Sequence, residues 1–223
     1  ALAALLILRP VFYWQIGSAL NWTPTLNLTA IVVPFRSEFL GRMFLFSLFS
    51  FGIALAVFYL WLLFLVIVNR RVADADPFQK LVRTHLGWVG RWPWLWQLLL
   101  PLVVACMIWL GGHPLLVRWE IIPASKSAAQ LVGQALLIGA GAYLPLKYLI
   151  ATFLFAHLLT SYVYLGNHPV WNFVNATARN LIAPLRWAPL RLGKVDFSPL
   201  AGIALVFLAA EFVLHWLPRL YSL

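Results

Sequence analysis

Long apolar runs separated by short basic segments set the pattern of this chain. The first run, Phe44 to Val68, carries no charged side chain. As an α-helix it would be about 37 Å long, enough to cross a hydrocarbon core of roughly 30 Å. Three more runs follow at residues 95–111, 131–164 and 200–217. The pattern predicts four transmembrane helices, and the glycines and Pro145 inside the third run predict that this helix is bent.

Two segments have apolar residues at helical spacing on one face and polar residues on the other. In residues 77–90 the predicted apolar face is Phe78, Leu81, Val82, Leu86 and Val89, opposite Gln79, Lys80 and Arg83. In residues 169–183 it is Val170, Phe173, Val174, Thr177 and Leu181, opposite Asn172, Asn175 and Arg179. This spacing is typical of helices that lie flat at a membrane surface with the apolar face in lipid. Pro169 suits the first helical turn, with His168 or Asn167 as the cap.

The N-terminal segment, residues 1–41, has a different pattern. Residues 1–8 are apolar but too few to span a bilayer, and Arg9-Pro10 is expected to end the run. We interpret residues 1–8 as the tail of a further helix. Residues 11–41 are mixed, and Leu26, Leu28 and Ala30 alternate as in a short extended element. We expect this segment to lie on the outer membrane surface, and residues 112–129 to form a loop.

Composition supports a membrane protein. Only 10% of the residues are charged and 63% are hydrophobic, whereas about 25% are charged in soluble domains. The net charge of +10 is better explained by loops flanking the membrane than by nucleic-acid binding, because the chain has no separate basic domain. We therefore expect anionic lipid headgroups as partners and no nucleic acid. Cys106 is the single cysteine, so no intrachain disulfide can form.

An internal repeat is also predicted. A shift of 92 residues places the first apolar run on the third and Asp76-Pro77 on His168-Pro169. Each copy, at about 42–111 and 134–217, has the order span, interfacial helix, span. The predicted fold class is therefore an all-α integral membrane protein with two degenerate repeats in a domain at 42–223, preceded by the N-terminal surface segment at 1–41. That two unrelated membrane hairpins look alike remains the alternative.

Residues 166–199 resemble the C-terminal half of the YggT (YlmG) family of small multi-pass membrane proteins. The resemblance rests on residues of the opening, middle and end of this stretch: His168, Pro169, Pro184, Arg186, Gly193, Asp196, Ser198 and Pro199. Trp187 stands where the family commonly has a second arginine, so the chain resembles a divergent member. The family is associated with cell division, envelope organisation, osmotic tolerance and, in plastids, maturation of a membrane cytochrome. The resemblance implies a membrane architecture and does not imply an active site.

The sequence contains few residues that could form a catalytic, metal or cofactor site. His157 and His215 lie in the third and fourth runs at depths that differ by about 20 Å, so one haem cannot join them. We expect polar partners on facing helices instead. His85, His113 and His168 are expected in separate loops without metal-ligand spacing. No catalytic triad order, phosphate-binding glycine loop or pair of catalytic carboxylates is present, so we predict neither an enzyme nor a cofactor.

Lys147 and Glu211 are the formal charges well inside the apolar runs. An unpaired charge at the bilayer centre costs about 2.5–3.5 kcal/mol on insertion scales. Counted from the cytoplasmic ends of their helices, the two residues lie at roughly 22 and 18 Å. We predict a buried ion pair that fixes helix register. The alternative is a lysine that extends outward and a protonated or separately bonded Glu211.

Three functional classes follow from these features. The first is a non-enzymatic scaffold or assembly factor in the bacterial cytoplasmic membrane, with other membrane subunits as partners. The second is an accessory subunit of a photosynthetic or respiratory complex, suggested by twelve tryptophans and the extra N-terminal segment. A transporter is disfavoured, because no polar stripe runs through several spans. Basic residues number nine in the loops with the amphipathic segments and five on the opposite side, which predicts that those segments face the cytoplasm.

Overall fold

The structure is a computed structural model, and it describes residues 2–20, 22–28, 31–70, 77–164, 166, 168–185, 187, 190–192 and 195–222. The chain forms two compact units. The first consists of the described residues of Ala1–Phe58, Leu102–Ala142 and Leu220–Leu223. The second consists of those of Tyr59–Pro101 and Tyr143–Arg219.

The described residues are mainly helical. The α-helices are α1 (Leu2–Leu20), α2 (Leu40–Val68), α3 (Pro77–Leu86), α4 (Trp94–Arg118), α5 (Ala128–Gly141), α6 (Leu146–Tyr162), α7 (Pro169–Ile182) and α8 (Ser198–Ser222). Two small antiparallel sheets complete the described part, formed by β1 (Thr25–Leu28) with β2 (Ile31–Pro34) and by β3 (Arg191–Leu192) with β4 (Val195–Asp196).

Four helical segments are long and apolar enough to cross a membrane: Leu40–Val68, Trp94–Arg118, Ala128–Tyr162 and Ser198–Trp216. This confirms the predicted all-α integral membrane class. The side chains of these segments are mostly at the surface of the protein, with at most 28% of the apolar window buried inside it. A soluble protein would hide such residues from water, so their exposure indicates that lipid surrounds them.

The N-terminal segment differs from the prediction. Arg9-Pro10 does not end the first helix, since α1 continues to Leu20 with Pro10 inside it. Pro10 is buried, and Arg9 Nε donates to Tyr13 Oη at 3.0 Å across one turn. The predicted extended element is present as the β1–β2 hairpin, in which Leu26 pairs with Val33.

The second span is longer than predicted. The helix α4 continues beyond residue 111 into the residues expected to begin a loop, and ends at Arg118. Its end is a Schellman motif: Ile121 N donates to Leu116 O at 3.0 Å, and Glu120 N to Val117 O at 2.9 Å. Glu120 has a φ of 54° at the position where glycine is usual. Leu116 and Ile121 are both buried, in the hydrophobic contact that accompanies this motif.

The third run is not one bent helix. Tyr143, Leu144 and Pro145 form a turn between α5 and α6. This turn is anchored within the second unit, because Trp61 Nε1 donates to Pro145 O at 3.3 Å and Tyr143 Oη donates to Leu98 O. The bend predicted from Pro145 therefore lies at a turn that separates α5 from α6 within one spanning segment.

Small residues bring α4 and α5 together in the first unit. Ala135 and Gly139 are buried, and Cys106 Sγ donates to Ala135 O at 3.1 Å. A Cβ at Gly139 would lie 2.9 Å from Cys106 Sγ and 3.1 Å from Leu102 O. Gly139 is therefore required by close helix packing, as is common between membrane helices.

Candidate functional site

The helix α7 begins where the sequence predicted. Pro169 occupies the first turn, and His168 Nδ1 accepts from Val170 N at 3.3 Å. The missing N–H of proline costs nothing there, and the imidazole satisfies one of the free N–H groups of the first turn. The helix ends at Ile182 and continues as one 3₁₀ turn, Ala183–Leu185. The predicted end near Ala183 is confirmed.

A cluster of buried polar side chains connects α7 to the end of α2 and to α3. We call Asn69, Gln79, Thr177 and Asn180 the polar layer. Asn69 Nδ2 donates to Thr177 Oγ1 at 2.8 Å, while Asn69 Oδ1 accepts from Asn180 Nδ2 at 3.0 Å. Gln79 Nε2 donates to Asn69 O at 3.2 Å, and Thr177 Oγ1 donates to Phe173 O at 2.8 Å. Asn69, Gln79 and Thr177 are completely inaccessible to solvent.

This burial corrects the predicted polar and apolar faces of α3. Gln79 was assigned to the solvent side, but its amide is needed at the carbonyl of Asn69, one residue after α2 ends. Val82 was assigned to the lipid-facing stripe together with Leu81, yet Val82 is buried in the protein, whereas Leu81 is 54% exposed and accessible to lipid. The hydrogen bond to the Asn69 carbonyl accounts for the burial of Gln79.

The predicted role of Phe173 is also wrong. It was expected to insert into lipid, but only 7% of it is exposed. Its ring packs on Phe78 of α3 and Phe153 of α6, with centroids 6.0 Å away in both cases. The apolar face of α7 therefore covers the protein core at this point, and Phe173 joins three helices.

A second polar contact joins α7 to α6. His157 Nδ1 lies 2.7 Å from Asn175 Oδ1, and Thr160 Oγ1 donates to the same oxygen at 2.7 Å. Because an amide oxygen only accepts, Nδ1 must carry the proton. The prediction of a polar partner on a facing helix is confirmed for His157. Asn175, which was assigned to the solvent face, supplies it.

Of the three histidines expected in loops, two lie in helices, and His168 precedes α7 as its cap. His85 is in α3 and His113 in α4, where it is buried and Nε2 lies 2.8 Å from Ser125 Oγ. His168 is the cap of α7, and His215 lies on the exposed surface of α8. Within the described residues, no three His, Cys, Asp or Glu side chains are grouped as metal ligands would be.

The segment between α7 and α8, residues 183–197, is called the elbow here. Pro184 is exposed, and Asp196 Oδ1 accepts from Ser198 N at 2.9 Å immediately before α8. Ser198 and Pro199 are buried at the start of that helix. The other two residues of the family-like motif, Arg186 and Gly193, lie outside the described residues.

Close packing continues from the elbow along α8. A Cβ at Gly202 would lie 2.8 Å from Cδ1 of Leu154, which is 2% exposed. Leu154 in turn belongs to a small core with Ala178 and Ile182 of α7. The helices α6, α7 and α8 therefore share one core next to the hydrogen-bonded contacts.

Lys147 on α6 and Glu211 on α8 face each other. Their Nζ and Oε1 atoms are 3.9 Å apart, with side chains 12% and 68% exposed, respectively. The ammonium also lies 5.2 Å from the ring centroid of Tyr148 and 5.5 Å from that of Phe207. Such rings stabilise a cation that has left water. The two groups are close enough for the predicted interaction, although only the lysine is largely enclosed by protein.

These residues form a structural site rather than a set of reactive groups aimed at a common point. The polar side chains form hydrogen bonds that connect α7 to the end of α2 and to α6, and α3 to the end of α2. Together with four apolar spanning segments, this defines a multi-pass helical membrane protein in which a short helix is held by hydrogen bonds as well as by apolar contacts.

The comparison with known families agrees with this class. Residues 140–217 match the model of the CCB3/YggT family. The match confirms, over this range, the resemblance to the YggT family that the sequence predicted. It contains α6, α7 and the larger part of α8, and therefore includes Thr177, Asn180, His157 and the Lys147–Glu211 contact. No match was found among curated proteins or among solved structures.

The polar layer was hardly predictable from the sequence. Asn69 is the first polar residue after a long apolar run, which usually marks only the end of a span. Its partners Thr177 and Asn180 are more than a hundred residues away. The available signal was the excess of small polar residues within the amphipathic segment of α7.

Proposed function

We propose that this protein is a non-enzymatic membrane scaffold or assembly factor of the YggT type. The proposal rests on one observation about α7. The helix is held in place by buried polar contacts, and exposed aromatic side chains lie in the chain just before and just after it. Tyr164, before α7, is 83% exposed, and Trp187, after it, is 84% exposed. A rigid helix flanked by accessible aromatics is suited to hold a partner protein, because such residues commonly anchor interfaces.

The proposed location is the bacterial cytoplasmic membrane, with α3 and α7 on the cytoplasmic side and residues 1–41 on the outer surface. Nine basic residues support this orientation: Arg70, Arg71, Lys80, Arg83, Arg91, Arg179, Arg186, Arg191 and Lys194. Five lie near span ends on the opposite side: Arg36, Arg42, Arg118, Lys126 and Arg219. Excess lysine and arginine is retained on the cytoplasmic side, where it also attracts anionic lipid headgroups.

We also propose that the two halves of the membrane domain are a degenerate repeat. The helices α3 and α7 begin at Pro77 and Pro169, and 169 − 77 = 92, the shift predicted from the sequence. Each follows an apolar segment and precedes another. In this interpretation the second copy kept the elbow and the first lost it.

A non-enzymatic role agrees with the polar groups near α7. The imidazole of His157 and the amides of Asn69 and Asn180 are engaged with other protein groups. General acid–base or nucleophilic catalysis requires such groups to face a substrate position. The YggT family, moreover, is not known as a family of enzymes.

The proposal is tested by site-specific crosslinking. A photoreactive phenylalanine analogue replaces Trp187 in cells, and crosslinked products are identified by mass spectrometry. The same substitution at Trp96, which is 63% exposed at the start of a span, is the control for random membrane neighbours. We expect a defined protein to crosslink at position 187 and not at 96.

The identity of the product separates the possible roles. A partner recovered at substoichiometric, transient levels supports an assembly factor. A partner in fixed stoichiometry within an energy-transducing complex favours the accessory-subunit alternative. If position 187 gives only lipid adducts or the same products as position 96, the proposed recruiting surface is wrong.

A further inference from the structure

A groove of about 900 Å³ lies in the first unit, between α1 and the first turns of α2. Its walls are apolar side chains, among them Ile7 and Trp14 of α1 and Phe44 and Leu48 of α2. Ile7 and Leu48 are each 57% exposed. The walls are thus accessible from outside the protein and can accept an elongated apolar ligand.

The groove lies at the level of a membrane surface. The span Leu40–Val68 has 29 residues, or roughly 43 Å of helix, whereas the hydrocarbon core is roughly 30 Å thick. The ends of α2 therefore extend into the headgroup region. Arg42 lies near this end, and Leu48 is about 9 Å deeper along the helix. The groove consequently runs from the headgroup level into the hydrocarbon.

Arg42 lines the shallow end of the groove and its side chain is held in place. Its Nη2 donates to Trp119 O at 3.4 Å, and its guanidinium carbon lies 4.9 Å from the ring centroid of Phe39. A guanidinium has five N–H donors whose geometry matches a phosphate. A fixed arginine above an apolar groove thus provides a phosphate position above an acyl-chain position.

Glu38 also lines the groove. A carboxylate in the same groove lining as Arg42 disfavours a headgroup with only negative charge and favours one that carries an ammonium group as well. We propose that this groove binds a zwitterionic glycerophospholipid of the ethanolamine type. The acyl chain lies along Phe44 and Leu48, the phosphate binds Arg42, and the ammonium group is oriented toward Glu38. This inference is independent of the proposed scaffold function.

The helix α2 offers a matched pair of glycines to test this. Gly41 lines the groove, and a Cβ there meets nothing within 4 Å. Gly52 is exposed on the same helix outside the groove lining, and a Cβ there also meets nothing within 4 Å. Gly41→Trp places bulk in the groove and Gly52→Trp places the same bulk elsewhere on α2, and the added Cβ itself has space in both cases.

The measurement is the amount and class of phospholipid retained per chain after purification in mild detergent. Native mass spectrometry is performed after exchange with phosphatidylethanolamine or phosphatidylglycerol. We expect Gly41→Trp and Arg42→Gln to lose retained phosphatidylethanolamine by at least about fivefold, or roughly 1 kcal/mol. Gly52→Trp should retain the wild-type amount. Glu38→Gln should abolish the preference for phosphatidylethanolamine over phosphatidylglycerol.

Several outcomes would overturn the inference. Equal retention in the two tryptophan variants would show only non-specific boundary lipid. An unchanged headgroup preference in Glu38→Gln would eliminate the role of the carboxylate. Helical content and thermal stability matching the wild type are required of each variant, and Arg42→Gln provides a test that adds no bulk.

Discussion

Replacement of Asn69 by leucine should destabilise the protein through the polar layer. The substitution removes the bond donated to Thr177 and the bond accepted from Asn180. Side-chain hydrogen bonds in membrane proteins average about 0.6 kcal/mol each, with a maximum near 1.7. The amide of Asn180, left without its acceptor in a half-buried position, adds about 1–3 kcal/mol. We expect a total loss of roughly 2–4 kcal/mol.

The assay is the free energy of unfolding from denaturing-detergent titration in mixed micelles. Asn172→Leu is the matched control, because Asn172 lies on α7 but is exposed, and should change stability by no more than about 0.5 kcal/mol. The double substitution Asn69→Leu with Asn180→Leu should lose less than the sum of the singles, since no amide is then left unpaired. A loss for Asn69→Leu equal to that of the control would refute the reasoning.

Further predictions concern the ion pair, the packing glycine and the orientation. Lys147→Met and Glu211→Gln should each destabilise by roughly 1–3 kcal/mol in the same titration, and the double variant should recover part of the loss, whereas additive losses would argue against a pair. Gly139→Ala should cost about 1–3 kcal/mol by overpacking, while Gly111→Ala, whose Cβ meets nothing within 4 Å, should not destabilise. A cysteine replacing Arg179 should react with an impermeant thiol reagent only after the reagent is given access to the cytoplasmic side. Labelling from outside would show that the proposed orientation is inverted.

The sequence was sufficient for the elements whose cause is local. Apolar length predicted the spanning segments, and proline placement predicted the start of α7 at Pro169, because both depend on a few neighbouring residues. The same reasoning failed at Pro10 and at Pro114, which lies among the residues expected to form a loop; the helix continues through both prolines. A spanning helix such as α4 tolerates proline more readily than a soluble helix does. Whether it does so at a given position depends on surroundings that the sequence does not specify.

The candidate site was less predictable, since lipid and protein core demand the same apolar side chains. Phe173 fits either environment by its spacing, and only the rings of Phe78 and Phe153 identify it as core. Gln79 was assigned to the wrong environment for the opposite reason, because a polar residue is buried. A glutamine on a short amphipathic helix is normally solvated, and its burial follows from a backbone carbonyl that another helix places beside it.

The end of α4 has a practical consequence for anyone engineering this molecule. Glu120 occupies a left-handed conformation that L-residues with a Cβ adopt at an energetic cost, and it does so where membrane helices and soluble helices alike usually employ glycine. A glycine at position 120 would adopt the same backbone conformation without that energetic cost. Glu120→Gly should raise the unfolding free energy by about 0.5–1 kcal/mol, which makes it a sensible background in which to study the more disruptive variants.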